Sequence, residues 1–237
     1  MISVDDLSVT LQDTPVLERV SFSIESGEFV LLVGRNGAGK TTLLDQLSGL
    51  DEPASGSVHI DGRDIFADPM ARASVGRVFE NPDNQILGAS VAADVALGPE
   101  SLGRSPDTIE ETVTTALEAV GLADHASVPV DTLSGGQRAR LAIAGALAME
   151  PDYLLLDEPT AGLDYDGRRA ILQHITEANR SGTGVLLATH DLRDLHDAVD
   201  RVIGLEDGRI VFDTTPHDAV AQLNEIGVRV PAGWNRG

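Results

Sequence analysis

"FVLLVGRNGAGKTTLLDQLSG", residues 29–49, decides how the rest of the chain is read. Phe29 to Val33 is apolar without alternation, as expected of a strand covered on both faces in a parallel sheet. Gly34 to Thr41 then matches G-x-x-x-x-G-K-[ST], and Thr42 follows. In such a loop Gly34, Gly37 and Gly39 let backbone N–H groups close around phosphate oxygens, with Arg35, Asn36 and Ala38 completing the cradle. The helix beginning at Lys40 aims its positive dipole end at the same point. Lys40 neutralises charge on the outer phosphates, and the Thr41 hydroxyl can ligate Mg²⁺.

Two further runs share the uninterrupted apolar character, "YLLLD" at 153–157 and "GVLLAT" at 184–189. Each is followed by a turn or helix signal, so all three predict one nucleotide-binding α/β core with its site at the carboxyl ends of the strands. The N-terminal stretches "ISVDDLSVTL" and "RVSFSI", with "GSVHIDG" at 56–62, instead alternate with period two and predict a small antiparallel sheet. Residues from about 82 to 145 read as a helical insertion. Within it "SPDTIEETVTTALEAVGL" has Ser105 as N-cap, Pro106 at the first helical position, and apolar residues at Ile109, Val113, Ala116, Leu117 and Val120. A helix is expected from about Asp191 to Asp200, a strand pair joined at Glu206-Asp207-Gly208, a helix near His217 to Leu223, and a loose end.

Composition narrows the function classes. The 237 residues are 42% hydrophobic, enough for a packed enzyme-sized unit. There is no cysteine, which excludes disulfides and thiolate metal sites. No run approaches a membrane span, and no signal segment is visible. The formal charge of -21 repels nucleic acid and anionic lipid. Lys40 is the only lysine, a pattern expected of a surface adapted to very high salt. The alternative is an ordinary acidic protein.

Two more motifs carry chemistry. "YLLLDE" ends a buried strand in Asp157, placed to hold Mg²⁺, and Glu158, where a carboxylate could polarise an attacking water. "LSGGQ" at 133–137 opens a helix, and Ser134, Gly135 and Gly136 leave N–H groups free as a second anion site, or make only a flexible turn.

Together with "AGLD" at 161–164 and the His190 of "LLATHD", these motifs stand in the order found in ABC ATP-binding subunits, which the chain resembles over essentially its whole length. The resemblance implies an α/β P-loop NTPase fold of the ABC ATPase type, with a small antiparallel β subdomain and a helical subdomain. It divides one ATP-binding domain, 1–237, into a core (1–80 and 146–226), a helical subdomain (81–145) and a loose tail (227–237). ATP and Mg²⁺ are the implied cofactors. Two subunits, identical or paralogous, would stack head to tail, so that Ser134 to Gln137 of one cap the ATP held by the loop of the other. Glu158 would be the general base, His190 would contact the γ-phosphate, and Asp164 would link the two sites.

The sequence departs from the family at two places. Leu11 stands where an aromatic residue usually stacks on adenine, and Glu80 stands where a Gln usually senses Mg²⁺ and water. Glu80 can ligate Mg²⁺ or can be a solvated loop carboxylate. The following "NPDNQIL" and "VAADVALGP" resemble energy-coupling-factor importers of the cobalt/nickel and vitamin (biotin) group. That implies a transmembrane partner received by residues 80–99 and a peripheral position on the cytoplasmic face of the membrane. A conventional ABC transporter motor and a soluble ABC ATPase remain alternatives, and the cargo is not legible.

Overall fold

The computed structural model describes residues 1–231 and Trp234. Two sheets organise it. The first is antiparallel and ordered β2-β1-β4-β5, from β1 (Ile2–Leu11), β2 (Thr14–Ile24), β4 (Ser55–Ile60) and the short β5 (Arg63–Asp64). The second is ordered β10-β9-β3-β8-β7-β6, from β3 (Phe29–Val33), β6 (Val75–Val78), β7 (Tyr153–Asp157), β8 (Gly184–Ala188), β9 (Arg201–Glu206) and β10 (Arg209–Thr214). Its pairings are parallel except β9 with β10.

The three uninterrupted apolar runs are the central neighbours β3, β8 and β7, and every residue in them is buried. β3 shows why they lack alternation. Phe29, Leu31 and Val33 pack into one core and Val30 and Leu32 into the other, so neither face meets water. One core lies between the large and small sheets together with α1 (Lys40–Leu47) and α2 (Pro69–Ala73). The opposite core joins the helical layer: α3 (Val91–Ser101), α4 (Pro106–Ala119), α5 (Gly135–Ala148), α6 (Tyr165–Arg180) and α7 (Pro216–Glu225). Because β3, β6, β7 and β8 run parallel, their carboxyl ends share one edge of the sheet.

Ser105 caps α4, its hydroxyl accepting from Thr108 N at 3.3 Å, as its sequence position predicts. Two expectations are corrected. Residues 191–200 form turns, not a helix. Asp194 sits at φ 62, outside the helical region, and the Asp191 carboxylate accepts from Arg193 N at 3.1 Å, so side-chain bonding displaces the helical ladder. The described part of the tail is packed, not loose: Val228 is buried, and Trp234 is 1% exposed with its indole N–H donating to Leu192 O at 3.0 Å. No helix among the described residues is long and apolar enough to cross a membrane.

Candidate nucleotide-binding site

A cleft of about 460 Å³ opens at the shared strand edge. It is lined by Asn36, Gly37, Gly39, Lys40, Thr41 and Thr42 of the loop and first turn of α1, and by Glu80, Asp157, Glu158 and His190 from the ends of β6, β7 and β8. Four stretches far apart in sequence therefore meet because parallel strands deliver their carboxyl ends together.

The loop needs its glycines for separate reasons. A Cβ on Gly34 would lie 2.3 Å from Leu205 O, and Gly39, which caps α1, sits at φ 102. Lys40 bends back over the loop, its Nζ donating to Gly34 O at 2.8 Å and Arg35 O at 3.2 Å. No acidic residue occupies the first turn of α1, so its positive end is not offset by a side chain of its own.

Glu158 is held from three sides. Its Oε1 accepts from the His190 backbone N–H at 2.9 Å and stands 2.7 Å from His190 Nδ1, while Oε2 accepts from the Thr189 hydroxyl at 2.9 Å. The side chain is 11% exposed, whereas that of His190 is 66% exposed and free to meet a ligand. Glu158 also has φ 45, a left-handed conformation costly for a glutamate and sustained by this network. One residue further on, Asp191 accepts from the Arg193 side chain and from Arg168 Nη1 at 2.9 Å. Its hydrogen bonds with Arg193 hold its carboxyl down at about 2, against the opposing effect of burial.

The oxygen donors Thr41, Glu80, Asp157 and Glu158 on one cleft suit a hard divalent cation that also takes phosphate oxygens. Among the described residues no cluster of three or more His, Asp or Glu forms a metal cage by itself.

Other candidates lie elsewhere. Ser134 caps α5 in a capping box: its N–H donates to Gln137 Oε1 at 2.8 Å and its hydroxyl accepts from Gln137 N at 3.3 Å. Gly135 and Gly136 line a neighbouring cleft with Glu80, Asn81 and Pro82, and no signature residue lines the one containing Lys40. Asp164 caps α6, accepting from Gly167 N at 2.8 Å. Leu11 is 48% exposed and absent from the lining of the cleft, where Val16 is the apolar side chain present.

The sequence reading missed Val16, Thr189 and Arg77, and the bridge made by Gln85 of the loop it had singled out. Gln85 is the last polar residue of "NPDNQ". Its Oε1 accepts from Phe79 N at 2.8 Å and its Nε2 donates to Ala142 O at 3.1 Å, joining the end of β6 to α5. The only signal for Arg77 was a charge inside an otherwise apolar strand.

The family model described as ABC transporter matches residues 17–161. The chain belongs to the ABC transporter family. An ABC transporter ATP-binding protein of Halobacterium salinarum is 44% identical over 98% of this chain and 100% of its own length. An energy-coupling factor transporter ATP-binding protein of Caldanaerobacter subterraneus is 43% identical over 92% of this chain and 80% of its own. Among solved structures, a dimeric ATP-binding cassette in a post-hydrolysis state bound to ADP and Pi superposes with a TM-score of 0.83 at 30% identity, covering 91% of this chain and 98% of that one. The cassette described here thus has the ABC ATPase fold, binds ATP with Mg²⁺ and hydrolyses it as a transporter subunit.

Proposed function

We propose that this cassette is the motor of an energy-coupling-factor importer. The observation that carries the reading is the Gln85 bridge. The "NPDNQ" loop leaves the nucleotide cleft at Glu80 and is tied by Gln85 to the signature helix α5, so a change at the cleft moves the helical subdomain. The wording of that loop, and a relative named for an energy-coupling factor transporter, support the importer group.

In this reading Gly34 to Thr42 bind the phosphates and Lys40 neutralises their charge. Glu158 Oε2, with a lone pair left beyond its bond to Thr189, accepts the proton of the attacking water. His190, anchored to Glu158 through Nδ1, turns the rest of its ring toward the γ-phosphate. Mg²⁺, held by Thr41, Asp157 and Glu80, would neutralise charge developing on the phosphate oxygens when bound.

Ser134, Gly135, Gly136 and Gln137 act on the ATP of a second cassette, identical or paralogous, and Asp164 lies at that junction. This is supported by the separation of the signature from the Lys40 cleft within one chain and by the dimeric state of the solved relative. Residues 80–99 receive the transmembrane subunit, placing the cassette peripherally on the cytoplasmic face of the membrane. Residues 1–80 and 146–226 serve as the nucleotide core and 81–145 as the transmitting helices, with α5 crossing between them. The import class is cobalt/nickel or a vitamin such as biotin. The acidic, single-lysine surface suits a molar-salt cytosol, and the Halobacterium salinarum relative supports this.

The test is capture of a second cassette by a tagged Glu158→Gln chain in molar salt. Capture that requires Mg-ATP is expected. A chain that remains alone with and without ATP would overturn the proposed motor cycle.

A further inference from the structure

The Arg77 side chain is 7% exposed, and its guanidinium lies behind the nucleotide cleft. Nη2 reaches Asp157 Oδ2 at 3.3 Å and Asp45 Oδ1 at 3.0 Å, and Nη1 donates to Val78 O at 2.7 Å. The carbon at the centre of the guanidinium lies 4.9 Å from the centre of the Phe79 ring. Nε is buried and has no hydrogen-bond partner among the described residues. A buried guanidinium with one unsatisfied donor is costly to fold around unless the charge is wanted where it lies.

What wants it is the count of carboxylates. Glu80, Asp157 and Glu158 line one cleft, facing phosphates that are also negative, and among the described residues Lys40 is the only lysine or arginine lining it. Asp157 is 3% exposed, so it sheds little of its field into water. Arg77 precedes Glu80 by three residues on the same strand exit, holding Asp157 from the dry side and fixing the carbonyl just before Phe79 and Glu80.

We infer that Arg77 is a positioning residue: it orients the Asp157 carboxylate and supplies the counter-charge that lets this cleft carry a glutamate at position 80. The inference rests on the nucleotide-site reading above and assigns to this chain a balance between Arg77 and Glu80 that sets how strongly nucleotide binding depends on Mg²⁺.

The experiment compares ADP affinity by calorimetry with EDTA and with saturating Mg²⁺, on the full chain at one fixed salt concentration, with a thermal melt of every variant. Arg77→Met should weaken metal-free ADP binding and raise the Mg²⁺ enhancement about threefold or more, because a cation near the phosphates is lost. Glu80→Gln should lower the enhancement, the double variant should return toward the wild type, and Arg77→Lys should stay within about twofold of it. An Arg77→Met ratio within about twofold of wild type overturns the inference. So does an Arg77→Lys change as large as that of Arg77→Met, which would mean packing and not charge. If Arg77→Met fails to fold, Asp45→Asn decides: it removes the carboxylate charge that competes with Asp157 for the guanidinium and should lower the enhancement, and an unchanged ratio overturns the inference. Absence of ADP binding by the wild type in both conditions would reject the nucleotide site itself, a result distinct from normal Mg²⁺-dependent binding that Arg77 does not influence.

Discussion

Glu158 illustrates how far a residue's neighbours determine its use. Its carboxylate is fixed by Thr189 and His190 and aimed into the cleft, which is the geometry a general base requires. Replacing it by Gln keeps the volume and removes the proton acceptor. Steady-state assays should show hydrolysis reduced by roughly 10²–10⁴-fold, with nucleotide affinity retained. Asp191 makes a pH-dependent contribution. Its folded carboxyl is held at about 2, below the ordinary 3.8, by hydrogen bonds with Arg193. A depressed carboxyl stabilises the fold above its unfolded value and loses that contribution as pH falls through the folded one. The stability gap between wild type and Asp191→Asn, from denaturant midpoints, should therefore be constant near neutrality and close as pH drops from about 4 toward about 2. The phosphate loop, Asp157, Glu158 and His190 stood out as candidates because each lies at or just after the end of a short apolar run with a turn or helix signal behind it, and the structure brings them to one cleft. Arg77 and Thr189 were not, because their importance comes from contacts 80 and 31 residues away in sequence, with Asp157 and Glu158.

The central strands were the most legible elements, since five-residue apolar runs bounded by turn signals are too short for a buried helix and fit a strand buried on both faces. The segment after His190 was misread as helix because its apolar spacing is helical, while Asp191, Arg168 and Trp234 impose a different path through bonds that spacing does not encode. The tail was misread because a short polar C-terminus carries no sign that its tryptophan has a buried acceptor. The loop from Asn81 to Gln85 is an element in its own right: Asn81 caps a short 3₁₀ turn, Asp83 pairs with Arg138 of α5 at 2.9 Å, and Gln85 completes the bridge. Gln85→Ala would leave the Phe79 N–H and an Ala142 carbonyl lone pair without that partner. It should lower stability by about 1–3 kcal/mol, read as a shifted denaturant midpoint at unchanged slope.

For the whole molecule, a charge of -21 on one domain produces self-repulsion that only salt relieves. The screening length falls from about 10 Å at 0.1 M to about 3 Å at 1 M, so the melting temperature should rise steeply across that range. A flat or falling curve would contradict a surface built for high salt. At this scale the family was fully legible, because several motifs in fixed order are not reproduced by a different fold. The proposed membrane partner rests on the loop wording alone, since a docking surface of ordinary side chains carries no motif of its own. The most direct measurement is affinity purification of the tagged chain from solubilised membranes in molar salt with Mg-ATP, followed by identification of what accompanies it. The account predicts a polytopic membrane protein that is lost when residues Asn81 to Gln85 are scrambled. Recovery of ribosomal or DNA-bound material without any membrane protein would contradict it.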